Sequence, residues 1–199
     1  VGVGSVLRIY ELGKKKLLRK CESKAFPHNI IKLHTQGDRI MASDASESVQ
    51  FAQYRHFDNR IVIFADDPTP RWMTCSALLD YDTVAGGDKF GNIFVNRLDA
   101  EISKAIVEDT TGNTAMYDRG FLQGAPHKLS SVVSYFVGES ISSVNKVALV
   151  PGGRELLLYT TLLGTVGIMI VFNSKEDIEF FQLLEMALRQ EIPPLAGRN

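Results

Sequence analysis

A short phrase recurs four times along the chain, and its spacing limits what the chain can fold into. It reads VGVGSVLRIYEL at residues 1–12, IMASDASESVQFAQY at 40–54, VAGGDKFGNIFVNRL at 84–98 and YTTLLGTVGIMIVF at 159–172. Each copy passes from small or β-branched residues through a polar or Gly-containing turn into an alternating apolar strand. Alternation with period two marks a strand with one face buried. The first two steps are about 40 and 44 residues, and a strand-rich unit recurring at about 40–45 residues signals a β-propeller blade. The third step is longer because residues 99–130 are inserted. Too few copies are present to close a ring.

The turn signals divide the chain further. Strands are expected over 1–4, 6–12 and 16–22, a blade within 1–25 that lacks its first strand. A complete four-stranded blade is expected within 26–67, from strands 29–36, 39–44, 49–55 and 60–65. The next blade, 68–138, takes strands 71–81, 83–87 and 92–98, then 130–137 after the insertion. Residues 139–173 begin a last blade with strands 140–149, 155–163 and 166–172. A helix follows over 174–192. Ser174 and Asp177 resemble a capping box, Ile178, Phe181, Leu184 and Leu188 share one face, and Glu185 and Arg189 are spaced to pair. Pro193 and Pro194 stop it, and its apolar face is expected to pack on the propeller or a neighbouring element. The insertion carries EDTTGN and YDRG and is expected to be an exposed excursion. The fold class is therefore all-β, an incomplete propeller of about three blades with one C-terminal helix.

Composition narrows the function. A formal net charge of −1 argues against a general nucleic-acid surface, which needs a basic excess. Cys21 and Cys75 are far apart and in no metal spacing, which suits free thiols in a reducing compartment. Residues 156–174 are uncharged and apolar, yet Thr160, Thr161, Gly164, Thr165 and Gly167 interrupt them. Two strands around a Gly turn explain the stretch better than a membrane span. The chain opens on Val1 without a charged leader, as an excised piece would, so the missing signal peptide says little about its parent.

The chemical motifs mostly dissolve on inspection. Gly2-Val3-Gly4 lacks the third glycine and the helix that a dinucleotide fingerprint requires. Asp80-Tyr81-Asp82 begins like a calcium loop, but Val84 and Ala85 stand where a ligand and the obligatory glycine belong. Gly86, Gly87 and Gly91 read as turn glycines. His28, His34, His56 and His127 share no metal spacing. Asp66 and Asp67 are adjacent on a strand and so point to opposite faces, which prevents their sharing a proton. Lys14, Lys15, Lys16, Arg19 and Lys20 form the one basic cluster. It suits a phosphate, an acidic partner or an import signal, against the plainer reading of a solvated hairpin. Trp72, the only tryptophan, follows Pro70 and Arg71 at a strand entry, where a propeller exposes its loops. Trp and Arg are favoured partner anchors, and a core role for Trp72 competes evenly with a contact role.

Longer phrases carry a family resemblance. GKKKLLRKCE, FADDPTPRW, LDYDTVAGGDKFGNIFV, PGGRELLLYTTL and SKEDIEFFQLLEMALRQEIPPLAGR together resemble the family of large propeller proteins that includes the large damaged-DNA-binding protein and the large cleavage and polyadenylation specificity subunit. The similarity runs over nearly the whole chain, weakest at 99–110 and 125–137, and is greatest to the branch that serves the splicing factor 3b complex. The resemblance implies three seven-bladed propellers and a helical C-terminal domain, with this chain supplying part of the third propeller. It implies a nuclear, non-catalytic scaffold of pre-mRNA splicing in the U2 small nuclear ribonucleoprotein at the branch site. The implied partners are a large HEAT-repeat subunit and small companion subunits, with RNA contact indirect or minor. No cofactor, metal, membrane or small-molecule substrate is expected. In related members a tryptophan at the place of Trp72 lies on the partner-facing mouth, with the places of Glu47 and Asp66 nearby. Those two places are basic in the damaged-DNA-binding branch and acidic here, so a different partner is implied. The candidate partner-binding residues are Trp72, Arg71, Asp66 and Glu47. An adaptor of a cullin-type ubiquitin ligase is the alternative, and an enzymatic propeller is a weaker third. Exposed edges and blade faces are expected to make the isolated segment aggregate, self-associate or need the rest of its parent.

Overall fold

The computed structural model describes residues 1–109, 124–172 and 174–191. The chain forms two compact units, Val1–Ile168 and Met169–Asn199. Four sheets account for most of the first. The first sheet has the order β1 (Gly2–Val3), β2 (Val6–Leu12), β3 (Leu17–Ser23). The second runs β4 (Ile30–Gln36), β5 (Arg39–Asp44), β6 (Ser48–Arg55), β7 (Arg60–Asp66), all antiparallel. The third holds β8 (Met73–Leu78), β9 (Thr83–Asp88) and β10 (Asn92–Arg97). Helix α1 (Ala100–Glu108) and the short β11 (His127–Lys128) intervene before its last strand, β12 (Ser130–Phe136). The fourth is β13 (Ile141–Ala148), β14 (Glu155–Thr161), β15 (Val166–Met169). Two four-stranded antiparallel arrays between two three-stranded ones make an incomplete propeller.

The four repeated phrases become the hairpins β1–β2, β5–β6, β9–β10 and β14–β15. In the second and third sheets these are the inner pair. β5 and β9 are buried at every residue, because a neighbouring sheet covers each face. Period two decides which neighbour each side chain meets. Ile40, Ala42 and Ala52 pack with Leu7 and Phe26 of the first sheet and its connection. Met41, Val49 and Phe51 turn the other way, into a core with Met73, Val84 and Phe94. Burying each of these large side chains contributes about 1.5–3 kcal/mol. The third and fourth sheets approach so closely that a Cβ on Gly87 would stand 2.5 Å from Ile141 Cγ2, which excludes larger residues there. The Thr74 hydroxyl donates across the same seam to the Ile141 carbonyl at 2.5 Å.

The turns of these hairpins share a device. The Asp44 carboxylate accepts from the amides of Ser46 and Glu47 at 3.0 and 3.2 Å. Asp88 accepts from those of Phe90 and Asn92 at 2.9 and 2.8 Å. Thr161 stands at the matching place in the last copy and accepts from the Thr165 amide at 3.1 Å. Short polar side chains that satisfy nearby amides favour turns over strand continuation.

The insertion departs from the expected excursion, because its first residues are helical. Asp99 is extended (φ −61°, ψ 137°) and caps α1 by accepting from the Glu101 amide at 2.8 Å. Ile106 is buried against the second and third sheets, with Ile102 beside it. Ser103 fixes the helix further. Its hydroxyl donates to Asp82 at 2.5 Å and accepts from Arg39 at 3.0 Å. Arg39, only 1% exposed, also pairs with Asp82 at 2.5 Å and lies over the Tyr81 ring at 4.0 Å. At the other end of the insertion, β11 pairs in parallel with β7, His127 opposite Ala65 and Lys128 opposite Asp66. The insertion is thus fastened to the second sheet at both ends. The EDTTGN and YDRG stretches lie outside the described residues apart from Glu108 and Asp109, as do Pro193 and Pro194.

In the second unit, α2 (Lys175–Glu191) carries Ile178, Phe181, Leu184 and Leu188 at helical spacing. Phe172 and Phe181 stack with centroids 4.7 Å apart, and Glu185 pairs with Arg189 at 2.5 Å. Among the described residues no helix is long and apolar enough to cross a membrane. The 156–174 stretch instead supplies β14, a turn and β15, as its interrupting glycines and threonines suggested.

Candidate partner-binding site

Two kinds of segment meet at one end of the second and third sheets. One is the hairpin turn inside a sheet, such as 44–48 and 88–92. The other is the connection from one sheet to the next, 66–73. Asp67 ties them together. It is 8% exposed, and its Oδ2 accepts from Ser48 Oγ at 2.6 Å, Asn96 Nδ2 at 2.7 Å and Arg71 Nε at 3.1 Å. Its Oδ1 accepts from the Thr69 amide at 2.9 Å, which shapes the turn into Pro70. Its own amide donates to the Val49 carbonyl at 3.0 Å.

That cluster sets the roles of the candidate residues. Arg71 points inward, pairs with Asp67 and lies over the Phe94 ring at 4.3 Å. It therefore anchors the loop rather than presenting a free cation. Trp72, the next residue, points out and is 52% exposed. Its carbonyl accepts from the Lys89 amide at 3.0 Å, and the Lys89 ammonium sits 3.5 Å from its ring centroid. The exposure of Trp72 speaks against the core role. Glu47 is exposed at the tip of the 44–48 turn, joined to this cluster through Ser48. Asp66 faces away from it. Its carboxylate pairs with Lys128 at 2.5 Å and accepts from the Ala125 amide at 3.0 Å, so it holds the end of the insertion. Adjacent Asp66 and Asp67 do serve opposite faces.

Asp67 and Lys89, which organise this cluster, were not among the candidate partner-binding residues read from the sequence. The clue for the first lies in FADDPTPRW, where Asp67 precedes Thr69 by two and Arg71 by four. For Lys89 no local clue exists, because the Trp72 ring comes from another segment.

The remaining candidates settle into structural roles. His34 meets the Ser76 hydroxyl at 3.1 Å across two sheets, and burial, then the Lys32 charge, lowers its pKa. His56 contacts Asp38 at 2.7 Å. The His28 amide donates to Asp44 at 3.0 Å, and its ring Nδ1 lies 3.7 Å from the same carboxylate. Burial pushes the Cys75 thiol up, which disfavours the reactive thiolate. A cleft of about 500 Å³ is lined by Asp80, Asp82, Arg97, Asp99 and Ser130 among others. Its carboxylates are engaged: Asp80 accepts from the Asp82 amide, Asp82 pairs with Arg39, and Asp99 caps α1. No group of three or more His, Cys, Asp or Glu among the described residues could hold a metal. Lys14, Lys15 and Lys16 form an exposed turn, while Lys20 pairs with Glu11 and Arg19 with Glu22.

Comparison with known proteins decides the family. The model of the CPSF A subunit region matches residues 1–199. The chain belongs to this family. It is 53% identical to splicing factor 3B subunit 3 of Danio rerio over 199 residues, which is 100% of the chain and 16% of that protein. It is 52% identical to the probable splicing factor 3B subunit 3 of Dictyostelium discoideum, and 50% identical to the pre-mRNA-splicing factor RSE1 of Mycosarcoma maydis. Both of those comparisons also cover 100% of this chain and 16% of the relative. The chain therefore spans about one-sixth of the length of these relatives.

Proposed function

We propose that this chain acts, within a longer protein of the same kind as those relatives, as part of a non-catalytic scaffold in pre-mRNA splicing. The observation that carries the reading is the half-identical match, across the whole chain, to proteins named as splicing factor 3B subunit 3. The place of action is the nucleus. The partners are the large HEAT-repeat subunit and the small subunits of the splicing factor 3b complex, engaged through protein–protein contact in branch-site recognition. The contact face is the loop cluster around Trp72, with Glu47 on its flank and Arg71 as its internal support. Asp66 contributes indirectly, by holding residues 125–128. An exposed tryptophan on a loop fixed by a buried ion pair is a suitable anchor, because little freedom is lost when a partner covers it. The ligase-adaptor reading has no observation in its favour.

Affinity purification of the full-length protein, with partners identified by mass spectrometry, tests this reading. Wild type should recover splicing factor 3b subunits, and Trp72→Ala should weaken that recovery. Recovery of a cullin-type ligase instead would refute the splicing assignment. Unchanged splicing partners with Trp72→Ala would keep the assignment and remove Trp72 from the contact face.

A further inference from the structure

We propose that Lys89, held over the Trp72 ring, reads a carboxylate on an apolar segment of a partner protein. This rests on the scaffold reading above and names the chemistry of the partner at that face. The starting observation is a row of large apolar side chains at turn tips, where polar residues are usual. Trp72 is 52% exposed, Phe90 59%, Leu162 73% and Leu163 80%. The turns that carry them are linked through short backbone and polar contacts. Lys89 and Phe90 share the turn whose backbone binds Trp72. In the same turn the Gly91 carbonyl accepts from the Val137 amide at 2.8 Å, and Gly91 packs so tightly that an added Cβ would lie 2.7 Å from the Glu139 amide nitrogen. Glu139 accepts from Thr161 at 2.5 Å, and the Leu162 amide donates to the Ser140 carbonyl at 3.0 Å. The row thus crosses from the third sheet to the fourth. Large apolar side chains exposed on adjoining turns mark a contact site.

The charge on this row dictates what covers it. The Lys89 ammonium is 3.5 Å from the Trp72 centroid and 5.0 Å from that of Phe90. Two rings favour the cation, but they leave its N–H donors for water. It forms no salt bridge among the described residues, and the neighbouring carboxylates are committed elsewhere. Asp88 is 3% exposed and accepts from Phe90, from the Asn92 amide and from Asn92 Nδ2. Asp67 holds Arg71, and Glu139 holds Thr161, whose hydrogen bond lowers its pKa. A partner that covers both rings strips water from the ammonium. A desolvated cation left without an anion costs more than the rings return. An apolar segment therefore binds well here only if it brings a carboxylate. A nucleic-acid phosphate fits less well, because Arg71 is spent on Asp67 and the chain has no basic excess.

The test uses the full-length protein, with the photo-crosslinking residue p-benzoylphenylalanine in place of Phe90, purified in its native complex. After irradiation the linked peptide is sequenced. The expected product joins this chain to a different protein, at an apolar residue with Asp or Glu within about a turn of it. Lys89→Glu in the same protein should lower the yield at least tenfold, whereas Lys89→Arg should retain it, with equal thermal melts for all forms. Linkage to the protein's own chain or to RNA, absence of any product, or a yield indifferent to Lys89→Glu would overturn the proposal. If splicing subunits still copurify in those cases, the scaffold reading survives. If wild type recovers none, that reading fails, whatever the cross-link shows.

Discussion

Replacing Asp67 by alanine separates the roles of two carboxylates that stand side by side in the sequence. The Asp67 side chain is 2% exposed and its partner Arg71 11%, so this ion pair is shielded from water. Removing one member of a buried pair leaves the other uncompensated and costs about 3–5 kcal/mol. Arg71 keeps its place over Phe94, which argues for the lower end, about 3 kcal/mol. Losing the acceptor for Ser48 and Asn96 works in the same direction. At about 1.4 kcal/mol per tenfold, local opening of residues 67–72 should become about 100-fold more frequent. Asp66 is different, because Lys128 is 43% exposed and a solvated pair contributes about 0–1 kcal/mol. Hydrogen exchange by mass spectrometry on the full-length protein reads both substitutions. Asp67→Ala should accelerate exchange in peptides covering 48–50 and 67–72. Asp66→Ala should act mainly on 125–129, by less than about tenfold. Equal effects of the two, or no acceleration around Trp72 in Asp67→Ala, would refute the assignment of Asp67 as the support of that loop.

Further outcomes follow from single sites. Gly91→Ala places a Cβ at φ +92° and 2.7 Å from the Glu139 nitrogen, so it should lower the thermal midpoint of the full-length protein more than Gly37→Ala, where φ is +59° and the space is open. The left-handed conformation alone costs about 1–2 kcal/mol for an alanine, and equal midpoints would deny the crowding. Ser103→Ala removes the hydroxyl that bridges Asp82 and Arg39 and should loosen α1 by about 1–3 kcal/mol, seen as faster exchange over 101–108 with the β9–β10 hairpin unchanged. His34 supplies a pH dependence. Its pKa in the folded chain is lowered by burial and then by Lys32, so the unfolded chain binds the proton first as pH falls. Stability from this site is present above about pH 6.5 and is lost as pH falls through the depressed folded value. A denaturation series between pH 7.5 and about 5 should therefore decline less steeply for His34→Gln than for wild type.

What was legible in the sequence follows from how each part is held. β5 and β9 are covered on both sides, so small or apolar residues fill 40–43 and 84–87 between the polar ends, and the phrase had to recur. The turn after each is set by a residue that satisfies amides two to four places on, which is a local and readable device. Helix α1 was also written locally, in the Asp99 cap and the Ile102 and Ile106 spacing, but acidic and Gly-rich neighbours in the same insertion masked it. The loop cluster around Trp72 was less readable, because its contacts join distant segments. Asp67 gathers Ser48, Asn96 and Arg71, and Lys89 finds the Trp72 ring, through sheet packing alone. No spacing rule joins residues 19 or 29 positions apart on different strands. The same physics explains why the propeller can carry such a cluster. Buried hairpins fix the positions of the turns, and the turn tips are then free to vary in charge and apolar surface without disturbing the core.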